Sequence, residues 1–181
     1  MRRVLLAALA ALTGCTNPNL PRFESVLAAN DSATAALGQW CGARQIAQPP
    51  VIRALADRDA KLIPTPAVLA ALGVPNDAQV AYRHVRLACG DHVLSVAHNW
   101  YVPARLTSDM NRTLETTDTP FGKVVTPLGF RRERLSAQRG RAEECPKGTV
   151  LSHRAVLRLA NGSAISLVVE CYTPANLRAS G

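Results

Sequence analysis

Aromatic residues are scarce in this chain: three Phe, three Tyr and two Trp make up 4% of its 181 residues. The cluster Arg131, Arg132, Arg134, Arg139 and Arg141 therefore lacks interleaved stacking platforms, and it reads as a solvated face rather than a nucleic-acid surface. No Cys-x-x-Cys pair occurs, which leaves zinc-ribbon and thioredoxin-type chemistry with little support. His84 and His98 have opposite parity on their strands and His92 lies at a turn, so no metal-ligand trio is formed and no metal or other cofactor is expected. No nucleophile elbow supports serine hydrolase chemistry. Repeats, heptads and low-complexity tracts are absent, and the length asks for one domain. Acids are outnumbered, 13 against 21 Lys and Arg, giving a formal net charge of +8.

The one continuous apolar run is N-terminal. Met1-Arg2-Arg3 precedes a stretch from Val4 to Leu12, too short for a bilayer that needs roughly 20 residues. It reads as a signal peptide over residues 1–14. Leu12-Thr13-Gly14-Cys15 closes it as a bacterial lipobox does, so Cys15 is the expected lipidation site. The chain is then expected to be a periplasmic, membrane-anchored lipoprotein. Asn17 to Pro21 resembles a tether, assigned to residues 15–30, with one folded domain over 31–177.

Cys41, Cys89, Cys145 and Cys171 remain, an even number compatible with two disulfides in an oxidising compartment. Three pairings are open. Cys89 shares parity with Val85 and Leu87, and Cys171 with Ile165, Leu167 and Val169. Both should face the core, and they can pair if their strands are neighbours.

Local signals set the order of elements. Asn30 or Asp31 can cap a helix through Ala35, Leu37, Trp40 and Cys41, and Thr65-Pro66 opens a brief helix that Gly73 stops. Period-two patterning over Tyr82–Cys89 and Val93–Val102, around Gly90-Asp91, predicts a hairpin. Thr107 or Ser108 caps a further helix, and Thr119-Pro120-Phe121-Gly122 opens another. Strand character resumes at Phe130–Leu135, and Asn161-Gly162 marks a hairpin between Val150–Leu159 and Ala164–Thr173. The result is an α+β domain with a largely antiparallel sheet.

Glu170 is the residue that needs explaining. A carboxylate within Ile165-Ser166-Leu167-Val168-Val169-Glu170-Cys171-Tyr172 loses several kcal/mol of hydration unless donors or cations meet it. A two-residue turn at Asn161-Gly162, counted outward, places His153 opposite Glu170.

Three segments in register carry a resemblance: Tyr82 to Pro103, the Thr119-Pro120-Phe121-Gly122 turn, and the Leu157 to Ala175 hairpin with Glu170 four residues before Pro174-Ala175. Together, over residues 35 to 177, they resemble chorismate lyase, which splits chorismate into 4-hydroxybenzoate and pyruvate. The resemblance implies a six-stranded antiparallel sheet with helices covering one side and an enclosed ligand pocket, a fold shared with ligand-binding domains of GntR-type regulators. It places the catalytic acid on Glu170 and a main-chain contact on Phe121. The family's two substrate-binding arginines fall on His84 and Asn99, and Arg86, two residues from His84, can compensate.

The expectation is an exported chorismate lyase-like protein that binds a small aromatic or enolpyruvyl carboxylate, with turnover of chorismate as the alternative. Glu170 would be the catalytic residue, and His84, Arg86, Asn99, Phe121 and His153 the ligand-binding set. The expected partners are a small carboxylate and, through lipid, the membrane, but not nucleic acid.

Overall fold

A computed structural model describes residues 17–76 and 79–178. Five helices, α1 (Asn19–Ala28), α2 (Ala33–Ala43), α3 (Pro66–Leu72), α4 (Ser108–Thr116) and α5 (Phe121–Val124), accompany six strands. These are β1 (Ile52–Asp57), β2 (Ala81–Cys89), β3 (His92–Tyr101), β4 (Arg131–Arg139), β5 (Leu151–Arg158) and β6 (Ala164–Tyr172). They form one sheet in the order β1-β2-β3-β6-β5-β4, with every neighbouring pair antiparallel.

The folded body begins earlier than the expected residue 31. α1 occupies most of the segment read as a tether, with Pro21 in its first turn, where the missing N–H has no intrahelical acceptor to lose. Phe23 and Leu27, one turn apart, are buried. Phe23 meets Tyr172 edge-on at 5.1 Å and Trp40 at 5.2 Å between ring centroids.

Ser32, rather than Asn30 or Asp31, caps α2: its hydroxyl accepts the Ala35 amide at 3.3 Å. Thr65, Pro66 and the left-handed Gly73 delimit α3, and Thr107 caps α4.

α1, α2, α4 and α5 cover one face of the sheet, packing on Val85, Leu87, Ala97, Tyr101 and Leu157. α3 lies on the other face, where Val68 and Leu72 join Trp100, Val156, Leu167 and Val169. β4 is an edge strand exposed along nearly its whole length, and its arginines discourage pairing with another edge.

The two hairpins differ from simple counting in informative ways. In β2–β3, Leu87 pairs with Ser95 but Ala88 with Val93, so Leu94 is an extra, bulged residue. That single insertion sets Arg83 opposite Asn99 and His84 opposite His98. In β5–β6, His153 does lie opposite Glu170. The turn, however, closes over three residues, with the Leu159 amide on the Ser163 carbonyl at 2.9 Å. Gly162 has φ 84°, and Ile165 is the residue that restores register between Leu157 and Arg158.

Both cysteine pairs are bridged: Cys41 to Cys89 and Cys145 to Cys171, with Cα separations of 6.5 and 5.4 Å. Cys89 and Cys171 are both core residues, but the bulge puts them in the cores of opposite faces, so they cannot pair with each other.

Candidate functional site

Glu170 is 5% exposed in a strand whose every residue is buried. Its partner is Arg132 of β4, which grips both carboxylate oxygens: Nη1 donates to Oε1 at 3.2 Å and Nη2 to Oε2. The Tyr172 hydroxyl donates to Oε2 at 2.9 Å. A two-armed guanidinium fork and a phenol replace the hydration that burial removes.

Electrostatics follow the geometry. Burial disfavours the Arg132 cation, but Glu170, Tyr172 and Asp31 together outweigh it and hold the guanidinium above its ordinary range. Burial, then the Glu170 charge, pushes the Tyr172 phenol well above its ordinary value, so it stays a donor. Asp31 accepts the Arg132 backbone amide at 3.0 Å and ties the start of β4 to the start of α2.

A cavity of about 50 Å³ lies against this pair, walled by Glu170, Arg132, Asn99, Val85, Phe121 and Phe130. It holds no more than a few waters. Asn99, 4% exposed, accepts the Ser166 hydroxyl through Oδ1. Its Nδ2 has no acceptor among the described residues. Asp31, Ser32, Thr34 and Phe130 are shared with an outer groove of about 380 Å³ that adds Lys123 and Thr126. The narrow inner chamber and wider outer groove thus meet at the N-terminus of α2.

Two residues shape that mouth. Gly122 admits the close approach of α2 to α5: a Cβ there would stand 2.6 Å from Ser32 Oγ and 3.2 Å from Thr34 Oγ1. Arg83 is buried, and its guanidinium donates to the Thr117 and Thr119 carbonyls at 3.3 Å each. It fastens the Thr119-Pro120-Phe121-Gly122 turn onto the sheet and so fixes the wall that Phe121 forms.

Of the residues singled out from sequence, Glu170, Asn99 and Phe121 converge on the cavity. His84 and Arg86 do not, because the Leu94 bulge turns them to the opposite face of the sheet. His84 stacks on His98 at 4.8 Å and lies 3.6 Å from Asp57, while Arg86 is exposed. His153 sits across from Glu170 but packs edge-on against Tyr172 at 5.4 Å and lines a separate depression with Glu24 and Arg139. Burial, opposed by Glu170 and aided by Arg132 and Arg134, holds its pKa at about 4, so it is a neutral packing group at pH 7 and not a cation for Glu170.

Arg132 was hidden in the arginine cluster read as solvated; its side chain is 7% exposed. The signal for it was the need of Glu170 for a cation, but β4 has no local feature that fixes its register. Tyr172, two residues along the same strand face, was legible by parity. Cys15 lies outside the described residues. Among the described residues no cluster of His, Cys, Asp or Glu is placed to hold a metal ion, and no helix is long and apolar enough to cross a membrane.

Comparison with known proteins adds a relative of Sinorhizobium fredii, the uncharacterized protein y4mC, 40% identical over 178 residues, covering 85% of this chain and 73% of the relative. The chain belongs to the y4mC family. No protein-family model matches it. Solved structures similar to this y4mC-family chain include the effector domain of PhnF from Mycobacterium smegmatis, with a TM-score of 0.57 and 14% identity over 79% of this chain and 88% of that one. The ligand-binding domain of a GntR-family transcriptional regulator from Bordetella bronchiseptica has a TM-score of 0.53 and 11% identity, covering 67% and 85%. YydK of Bacillus subtilis, described as a possible transcriptional regulator, has a TM-score of 0.51 and 14% identity. There the match covers 71% of this chain and 60% of YydK. The fold of the y4mC-family chain is therefore the chorismate lyase-like fold of GntR-type ligand-binding domains.

Proposed function

We propose that this protein binds a small aromatic monocarboxylic acid in the groove and chamber beside Glu170. The observation that carries the reading is a buried polar floor, formed by Asn99, Arg132 and Glu170, at the end of a groove of about 380 Å³. Groove volumes of roughly 300–1,000 Å³ suit small organic ligands.

Charge orients the ligand. In the chamber, Asp31 and Glu170 already exceed Arg132, whose fork is occupied, so an acid group gains nothing by entering. A hydroxyl can donate to Glu170 and accept from Asn99 Nδ2. The carboxylate then lies outward, where Lys123 supplies a cation, with the ring against Phe130. The Glu170 and Phe121 positions implied by the chorismate lyase resemblance face this same chamber, and that favours turnover of chorismate as a second reading.

Export completes the proposal: residues 1–14 as signal, lipid on Cys15 and a periplasmic body. Two disulfides support an oxidising compartment. Calorimetry of the purified protein with 4-hydroxybenzoate, benzoate and phenol tests the binding. Binding should be tightest for 4-hydroxybenzoate, and Lys123→Gln should weaken the two acids while leaving phenol unchanged. Absence of saturable binding by all three at millimolar concentration rejects the proposal. Chromatography after incubation with chorismate tests turnover, and 4-hydroxybenzoate should form only if Glu170 is intact.

A further inference from the structure

A second pocket lies where the two ends of the described chain meet. The side-chain amides of Asn17 and Asn19 each donate to the Leu177 carbonyl at 3.1 Å. Next to them, a pocket of about 250 Å³ is lined by Arg44, Gln45, Ile46, His92, Asn176 and Arg178. It shares no residue with the Glu170 cavity.

All the ionisable groups of its wall are basic, and neither arginine takes part in an ion pair among the described residues. Arg44 is held in place: its guanidinium lies 5.5 Å from the centre of the Trp40 ring, and Nη2 donates to the Arg178 carbonyl at 2.6 Å. Its other side-chain nitrogens have no acceptor among the described residues. The last carbonyls of α2 offer no competing acceptor row, because the amides of Arg44, Gln45 and Ile46 already meet those of Trp40, Gly42 and Cys41.

Asn176 gives the second observation. It is 1% exposed, and its amide nitrogen is fixed by the Leu94 and Thr173 carbonyls at 2.7 and 3.1 Å. That orientation leaves Oδ1 buried with no donor among the described residues. A wall with two guanidinium groups that have no acidic partner among the described residues and one acceptor without a donor among them matches a ligand with an anionic group and a hydroxyl.

We infer that this pocket binds a phosphate ester carrying a free hydroxyl, of the glycerol phosphate type. The phosphate meets Arg44 and Arg178, and the hydroxyl donates to Asn176 Oδ1. Such a group occurs in soluble metabolites and in the headgroup of phosphatidylglycerol. Asn17, bonded at the rim, follows Cys15 by two positions, so a lipid on Cys15 brings the pocket to a membrane surface.

Calorimetry on the full chain in neutral detergent tests this with glycerol 3-phosphate, dihexanoyl phosphatidylglycerol and dihexanoyl phosphatidylcholine. Phosphate binding weakened at least tenfold by Arg44→Gln/Arg178→Gln, with 4-hydroxybenzoate binding unchanged, supports the site. Phosphatidylglycerol binding tenfold tighter than glycerol phosphate names the headgroup as the source, and equal affinities name the soluble ester. The inference is overturned if neither glycerol-bearing probe binds, if phosphatidylcholine binds equally well, or if the double variant stays within twofold of the parent. Should the double variant unfold by circular dichroism, Arg178→Gln alone, at an exposed position, decides: at least threefold weakening supports the site and none rejects it.

Discussion

Replacing Arg132 by Met leaves a carboxylate that is 5% exposed with a single neutral donor, the Tyr172 hydroxyl. Removing one member of a buried ion pair costs about 3–5 kcal/mol, because the other charge is stranded. In a domain of this size that should lower the thermal midpoint by roughly 6–20 °C. Glu170→Gln should cost a similar amount by stranding Arg132. The double variant removes both charges, so its cost should fall short of the sum of the single costs by about 1–3 kcal/mol. Urea denaturation of the four proteins at pH 7, with disulfides intact, closes the cycle. If Arg132→Met costs less than about 1 kcal/mol, or the two changes add within about 0.5 kcal/mol, the pair is exposed or uncoupled and the account of Glu170 fails.

Three further outcomes follow from the same structure. Burial holds both His98 and His153 at about 4 in the folded state against an ordinary 6.5, aided at His98 by His84, and at His153 opposed by Glu170 and aided by Arg132 and Arg134. The unfolded chain therefore takes up protons first, so stability should fall as pH drops from 6.5 toward 4, and His153→Gln should flatten that fall in urea midpoints. The disulfides close segments of 48 and 26 residues, worth about 4 and about 3.5 kcal/mol by chain entropy. Paired Cys→Ser replacements should lower stability in that order, as read by denaturant titration. Gly122→Ala should cost about 1–2 kcal/mol and weaken 4-hydroxybenzoate binding, since Ser32 must give up its cap to clear the new methyl.

What could be read from sequence was what local chemistry decides. Thr65, Pro66 and Gly73 delimit α3 without help from the rest of the chain. Asn161 and Gly162 located the last hairpin, and the body register came out as counted because the three-residue turn and the extra Ile165 compensate each other. The β2–β3 hairpin has no such compensation. Its bulge is fixed from the far end of the chain, where Thr173 Oγ1 donates to the Val93 carbonyl, and the Thr173 amide and Asn176 Nδ2 donate to that of Leu94. A shift of one residue reverses every face, so His84 and Arg86 were assigned to the side that Arg83 and Asn99 occupy. Arg132 was hidden for the same reason: residues 140–150 separate β4 from β5 without setting their alignment.

The sheet order has a consequence for how the chain matures. β1, β2 and β3 are contiguous in sequence and in space, as are β4, β5 and β6, and the two groups meet only along β3 and β6. Each cross-link lies within its own group, Cys41 to Cys89 in the first and Cys145 to Cys171 in the second. Among these four cysteines oxidation can therefore proceed in the order of synthesis, the first pair closing before Cys145 emerges. The seam that remains is joined by the β3–β6 backbone ladder, the Ser166 hydroxyl on Asn99, and core packing such as Trp100 against Leu167 and Val169 and Tyr101 against Leu157 and Ile165. The floor of the candidate site thus spans two separately cross-linked halves of the chain and is completed only when they close on each other.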